Sequence, residues 1–100
     1  MPATLMMEAH EVVVAELRRL RRERGVTQVE LAERLGKPQQ FVSLVENGDR
    51  RIDLVEFIAF ANALGADPIA AFASVVQNMT GPVDISGGRR LRAPRPPRID

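Results

Sequence analysis

Apolar residues recur at helical spacing in five stretches of the chain, each bounded by glycine, proline or a short polar residue. From Glu8 to Arg24 there is no Gly or Pro, and Val13, Leu17 and Leu20 fall on one helical face. Gly25 closes this segment as a C′ residue, because only glycine enters the left-handed region without a Cβ penalty. Thr27 and Glu30 then have capping-box spacing, each able to satisfy the other's backbone N–H. They predict a helix of about eight residues, with Val29, Leu31, Ala32 and Leu35 inward, that ends at Gly36. Pro38 starts a third helix, where its missing N–H costs nothing. That helix runs to about Glu46 with Phe41, Val42 and Val45 inward, and Asn47-Gly48 terminates it. Asp53 and Glu56 repeat the capping box and open a fourth helix, predicted to bury Leu54, Phe57, Ile58, Ala61 and Leu64 before Gly65. Asp67-Pro68 begins a fifth through about Val76, whose IAAFASVV run is unusually apolar for a last helix.

The pattern therefore predicts an all-α fold, a compact bundle of five short helices occupying residues 1–77. From Asn78 to Asp100 the chain changes character and becomes rich in Gly, Pro and Arg, which predicts a basic, extended C-terminal tail. A short strand at Val83–Ser86 is the one regular element this stretch suggests.

Composition narrows the chemistry. With 100 residues, 45% of them hydrophobic, and only four aromatics, all Phe, the chain can build one small core of Leu, Val, Ile and Ala. It has no cysteine, hence no disulfide or thiolate metal site, and its single histidine, His10, expected at the surface, has no second His with which to hold a metal. Glu30 and Glu33 have no nucleophile or His beside them, so neither an enzyme nor a cofactor is expected. No apolar run approaches the ~20 residues of a membrane span. The N-terminus lacks the basic and apolar regions of a secretory signal, so a cytoplasmic protein is expected. The formal net charge of +1 is unevenly spread: residues 78–100 carry five Arg against two Asp, and residues 1–77 nine Lys/Arg against eleven Asp/Glu. A slightly acidic body can bind nucleic acid only if its cations are gathered on one face.

The segment Thr27–Gly48, TQVELAERLGKPQQFVSLVENG, reads as two short helices joined by a glycine turn. Such a unit lets the second helix protrude, and a major groove is about as wide as a helix. Gln39 and Gln40 stand at the leading end of that helix. An amide carries a donor and an acceptor that match adenine N6 and N7, a contact worth about 1–3 kcal/mol of discrimination. Ser43 lies one turn further on, and Leu44 is either a thymine-methyl contact or a partly covered apolar residue.

These residues resemble the XRE family of bacterial regulators, the Cro and phage-repressor type of helix-turn-helix with a lambda-repressor-like domain. The resemblance covers about Leu17 to Phe72 and rests on R-x-x-x-G-x-T-Q-x-E-L-A at Arg21–Ala32, the following LG, the QQ helix closing in ENG, and ALG-x-D-P at Ala63–Pro68. It implies that Gln28 contacts DNA phosphate and braces the next helix, that Gln39 and Gln40 read bases, and that Ser43 and Leu44 are variable contact positions. It also implies phosphate contact by Asn47 and the loop carrying Arg50 and Arg51; Lys37, in the turn, completes the candidate set. Arg21 and Glu46 match a family pair that forms a partly buried salt bridge between the first and third helices. The sequence departs from the family at Leu44, where relatives are often polar, at Lys37-Pro38 in place of a Ser or Thr cap, and at Asp49 in the phosphate-facing loop.

The expectation is a regulator of transcription that binds double-stranded DNA, acts as a repressor by occupying its site, and works as a homodimer joined through the apolar last helix. The competing expectation is an antitoxin or other interaction module whose basic tail, with Arg89, Arg90, Arg92, Arg95 and Arg98, holds a partner protein. The same arginines also suit a flexible arm along DNA, or simply a solubilising terminus.

Overall fold

The computed structural model describes residues 8–85, which form α1 (Ala9–Glu23), α2 (Gln28–Leu35), α3 (Gln39–Glu46), α4 (Leu54–Ala63) and α5 (Pro68–Gln77). The expected number, order and type of helices are all present. Residues 83–85 are irregular, so the suggested strand does not form among the described residues, and the tail arginines lie outside them.

The helix starts follow from local chemistry. Thr27 Oγ1 accepts the Glu30 N–H at 3.0 Å and Glu30 Oε1 accepts the Thr27 N–H at 2.8 Å. Asp53 and Glu56 do the same at 2.7 and 3.0 Å, and Asp67 caps the Ile69 N–H ahead of Pro68. Glu8 and Glu11 form a third box that the sequence reading did not anticipate. The ends are alike as well: Val26, Lys37, Asp49 and Ala66 each donate back to the carbonyl five residues earlier, at 2.8–3.1 Å. This Schellman-type closure needs a left-handed residue, which Gly36 supplies at φ 68° in the turn between α2 and α3.

α1 packs on α3, α4 and α5, while α2 packs on α3 and α4. Leu17, Leu31, Val42, Val45, Phe60 and Val75 are the largest fully buried side chains, and at least one comes from every helix. Arg34 Nη1 closes the α2–α4 contact by donating to the Ala63 carbonyl, 2.9 Å away, at the end of α4.

Several inward assignments need correction. Val14 is the fully buried valine of α1 while Val13 packs against the core only partly buried; a run of three valines leaves the helical phase open. Val29 is 50% exposed because the inward stripe of α2 is carried by Leu31, Ala32 and Leu35. Leu54 and Ile58 are exposed, and Phe60 takes the inward position in their stead. α4 is apolar on almost every side, so periodicity alone could not choose its buried face.

This burial pattern sets an expectation for denaturation. Leu31→Ala lowers unfolding stability by about 2–5 kcal/mol, the range for a fully buried leucine, whereas Val29→Ala shifts it by less than about 1 kcal/mol. Urea midpoints at neutral pH check the contrast, and equal effects would contradict the inward face assigned to α2.

Candidate nucleic-acid interface

The unit α2–turn–α3 is held from behind by one carboxylate. Glu46, the last residue of α3, is 4% exposed, a placement that an ionised group tolerates only when fully partnered. Arg21 on α1 grips it through Nε to Oε2 at 2.6 Å and Nη2 to Oε1 at 2.9 Å, the two-pronged geometry that guanidinium and carboxylate favour. Arg21 Nη1 also donates to the Val26 carbonyl at 2.9 Å. Arg18 Nη2 donates to the Glu46 backbone carbonyl at 2.6 Å, placing a cation at the negative end of α3. Burial by itself would raise the Glu46 carboxyl, but hydrogen bonds from Arg21 and Gln28 and the charges of Arg21 and Arg18 outweigh it. The group lies below the usual carboxylate range.

The same cluster reaches the candidate reading residues. Gln28, at the start of α2, donates its Nε2 to Glu46 Oε1 at 3.0 Å, and its own Oε1 accepts from Gln39 Nε2 at 3.1 Å. Gln28 thus braces the helix that follows. Gln39 and Gln40 are exposed in the first turn of α3, while Ser43 and Leu44 are half-buried further along it. Pro38 takes the N-cap position itself and supplies no side-chain hydrogen bond. Arg18, Arg21, Arg22, Gln28, Glu46 and Asn47 line one shallow groove beside this end of the molecule.

The loop after α3 divides its two arginines. Arg50 pairs with Glu56 at 3.0 and 3.1 Å and lies over the Phe41 ring, 4.7 Å from its centroid, with Lys37 Nζ also 5.5 Å from that centroid. The Arg50 hydrogen bonds, with the Asp53 backbone N–H, hold the Glu56 carboxyl below its ordinary value. Arg51 is exposed and makes no ion pair among the described residues. Asn47 is exposed too.

Three features were not foreseen. Arg18 is one of four arginines on α1, and its i,i+3 spacing to Arg21 was the available signal. Glu16 is 5% exposed, paired with Arg19 at 2.6 Å, and accepts the Ser74 hydroxyl at 3.1 Å, so it joins α1 to α5. His10 is half-buried rather than a surface residue, and its Nε2 has no hydrogen-bond partner. Burial first, then the neighbouring Arg51 charge, lowers its pKa.

Residues 13–72 match the model of a family described as a helix-turn-helix domain. A protein of Sinorhizobium fredii, described as an uncharacterized HTH-type transcriptional regulator, is 36% identical over 63 residues, which is 63% of this chain and 82% of the relative. An XRE-family like protein from Pseudomonas syringae pv. tomato superposes with a TM-score of 0.66 at 40% identity, covering 69% of this chain and 84% of the other. The restriction-modification controller protein C.AhdI from Aeromonas hydrophila superposes with a TM-score of 0.58 at 33% identity, over 63% and 96% of the two chains.

The buried ion pair carries its own prediction. Glu46→Ala strands the Arg21 guanidinium, which costs about 3–5 kcal/mol of stability. Because the folded-state pKa of Glu46 is depressed, the charged form contributes fully above the ordinary value of 4.5 and is lost as pH falls through the lower folded value. The stability gap between the wild type and Glu46→Gln is therefore expected to narrow in denaturation series taken from pH 7 to pH values below that point.

Proposed function

Since the chain belongs to the helix-turn-helix family of XRE-type transcriptional regulators, we propose that it recognises a specific double-stranded DNA sequence through α3 and represses transcription by occupying that site. The observation that carries this reading is the exposed Gln39-Gln40 end of α3, fixed from behind by Glu46, Arg21 and Gln28. A reading helix must hold its side chains in register with base edges, and a buried ion pair at its far end limits how it can roll or slide. Gln39 and Gln40 contact bases, with Ser43 and Leu44 further along the groove. Gln28, Lys37, Asn47, Arg50 and Arg51 follow the phosphates. Arg51 is the stronger phosphate candidate of the last two, because Arg50 already serves Glu56 and Phe41.

One reading helix spans too few base pairs for useful selectivity, and a two-fold dimer doubles the reading. α4 and α5 offer the surface for a second copy. Leu54, Val55 and Ile58 share one side of α4, Ile69, Phe72 and Val76 one side of α5, and all six are exposed. Phe72 meets Phe57 edge-on with 6.0 Å between ring centroids, which joins the two helices. Apolar side chains in this number on two adjacent helices suit a partner surface better than open water. The alternative antitoxin reading rests on Arg89, Arg90, Arg92, Arg95 and Arg98, which all lie outside the described residues.

Binding to the promoter of its own gene, measured with Gln39→Ala and Gln40→Ala, tests the reading: each is expected to relax the preference for one or more base pairs. Arg51→Ala is expected to weaken all sequences alike and to lower the slope of log affinity against log salt by about 1. Phe72→Asp is expected to shift the protein to monomer in sedimentation and to lower affinity for the intact site far more than for a half-site.

A further inference from the structure

Between the start of α1 and the loop after α3 lies an open-sided cavity of about 520 Å³. Val14 and Ala15 give it an apolar wall, and His10, Arg18 and Arg51 bring nitrogen to its lining. The His10 Nε2 is buried and has no hydrogen-bond partner among the described residues. Buried polar atoms are paired in the great majority of cases, so an unpaired one beside a cavity marks a place for an incoming partner. The cavity shares Arg18, Glu46 and Asn47 with the shallow groove that holds Gln28, so the two adjoin.

Charge decides what kind of partner fits. Arg18 and Arg51 bring two positive charges to the lining, and Glu8 and Glu11 two negative ones. Glu11 is turned to its own helix start, where Oε1 accepts the Glu8 N–H at 3.0 Å. Glu46 also borders the cavity, but Arg21 matches its charge, and Arg18 Nη2 covers its backbone carbonyl at 2.6 Å. Arg51 makes no ion pair among the described residues. With His10 neutral the lining is balanced, so an anion enters at matched charge only if the imidazole takes a proton. In the free protein burial, then the Arg51 charge, hold that proton off against the opposing pull of Glu11 and Glu8.

We infer that this cavity seats a backbone phosphate of the DNA duplex, bound by Arg51 and by His10 Nε2, and that His10 takes up a proton as the phosphate arrives. The inference rests on the reading of this face as the DNA-binding one. Each backbone phosphate carries one negative charge, which one proton on the ring offsets. Because binding favours the protonated ring, affinity is highest below the free-state pKa of His10. It falls by up to about tenfold per pH unit as pH rises through that value, and levels off above the bound-state one.

His10 is the only histidine of the chain, so its ring C–H resonances in proton NMR report this titration alone. The experiment follows them in the full chain, free, with inorganic phosphate, and with saturating duplex from the promoter of its own gene. Salt of about 0.3 M confines the field of more distant phosphates to on the order of 6 Å. The expected result is a pKa below the ordinary 6.5 in the free protein, raised by about one unit or more with duplex bound. His10→Gln, which cannot take the proton, is expected to lose the pH slope of duplex affinity between about pH 5 and 8. Any other group titrating there, an amino terminus included, would keep that slope in the variant. A pKa unmoved by a duplex that binds with sequence preference overturns the phosphate site and leaves the DNA reading standing. The full shift with inorganic phosphate alone, and no more with duplex, makes the cavity a site for free anions and overturns its assignment to DNA. Absence of any sequence preference among duplexes overturns the DNA reading, and this inference with it.

Discussion

One buried carboxylate organises the half of this molecule that holds the candidate interface. Glu46 ends α3, takes both prongs of Arg21 from α1, receives Gln28 from α2, and lends its backbone carbonyl to Arg18. Three helices meet at a single charge. A hydrophobic contact at that point would stabilise the bundle as well or better, since desolvating an ion pair costs about as much as the pair returns. An ion pair provides direction instead. Fixed angles and distances tie α3 to its neighbours in one register, and an apolar contact would tolerate small rotations there.

The same logic resolves the charge problem posed by composition. The first 77 residues hold more acids than bases, yet several of those acids are spent internally. Glu46 and Glu16 are buried against arginine, Glu30 and Glu56 close helix starts, and Glu56 also holds Arg50. Groups used in this way contribute little negative field at the groove beside Arg18, Arg22 and Gln28. Net charge is therefore a poor guide to this surface, and the partner of each carboxylate is a better one.

How much of this was legible in the sequence depended on whether the information was local. Capping boxes at Thr27–Glu30 and Asp53–Glu56 and the glycine stops set the helix limits to within a residue or so, because each is written within a few positions. The Arg21–Glu46 pair was legible only through family resemblance, since nothing local links residues 25 apart. Which side of α4 turns inward was illegible, because LVEFIAFANA offers apolar residues in every direction and tertiary packing makes the choice. The Gln28–Gln39 bond was anticipated as bracing in general terms. Its polarity could not be, because that depends on the carboxylate at the far end of α3, which packing brings beside Gln28.

The Phe41 ring lies beneath Lys37 from the turn before α3 and Arg50 from the loop after it, and Arg50 is held by the capping glutamate of α4. α3 and the apolar α4 behind it are thus buckled together twice, by Arg50 on Glu56 and by the Phe41 ring, whose centroid lies 6.0 Å from that of Phe60. A second copy seated on α4 and α5 would inherit that stiffness, and the pair would behave as a caliper whose jaws cannot open. Inserting one base pair between half-sites rotates one of them by about 35° around the duplex axis. A stiff caliper must bend or untwist the DNA to follow, so spacing becomes part of the recognised sequence.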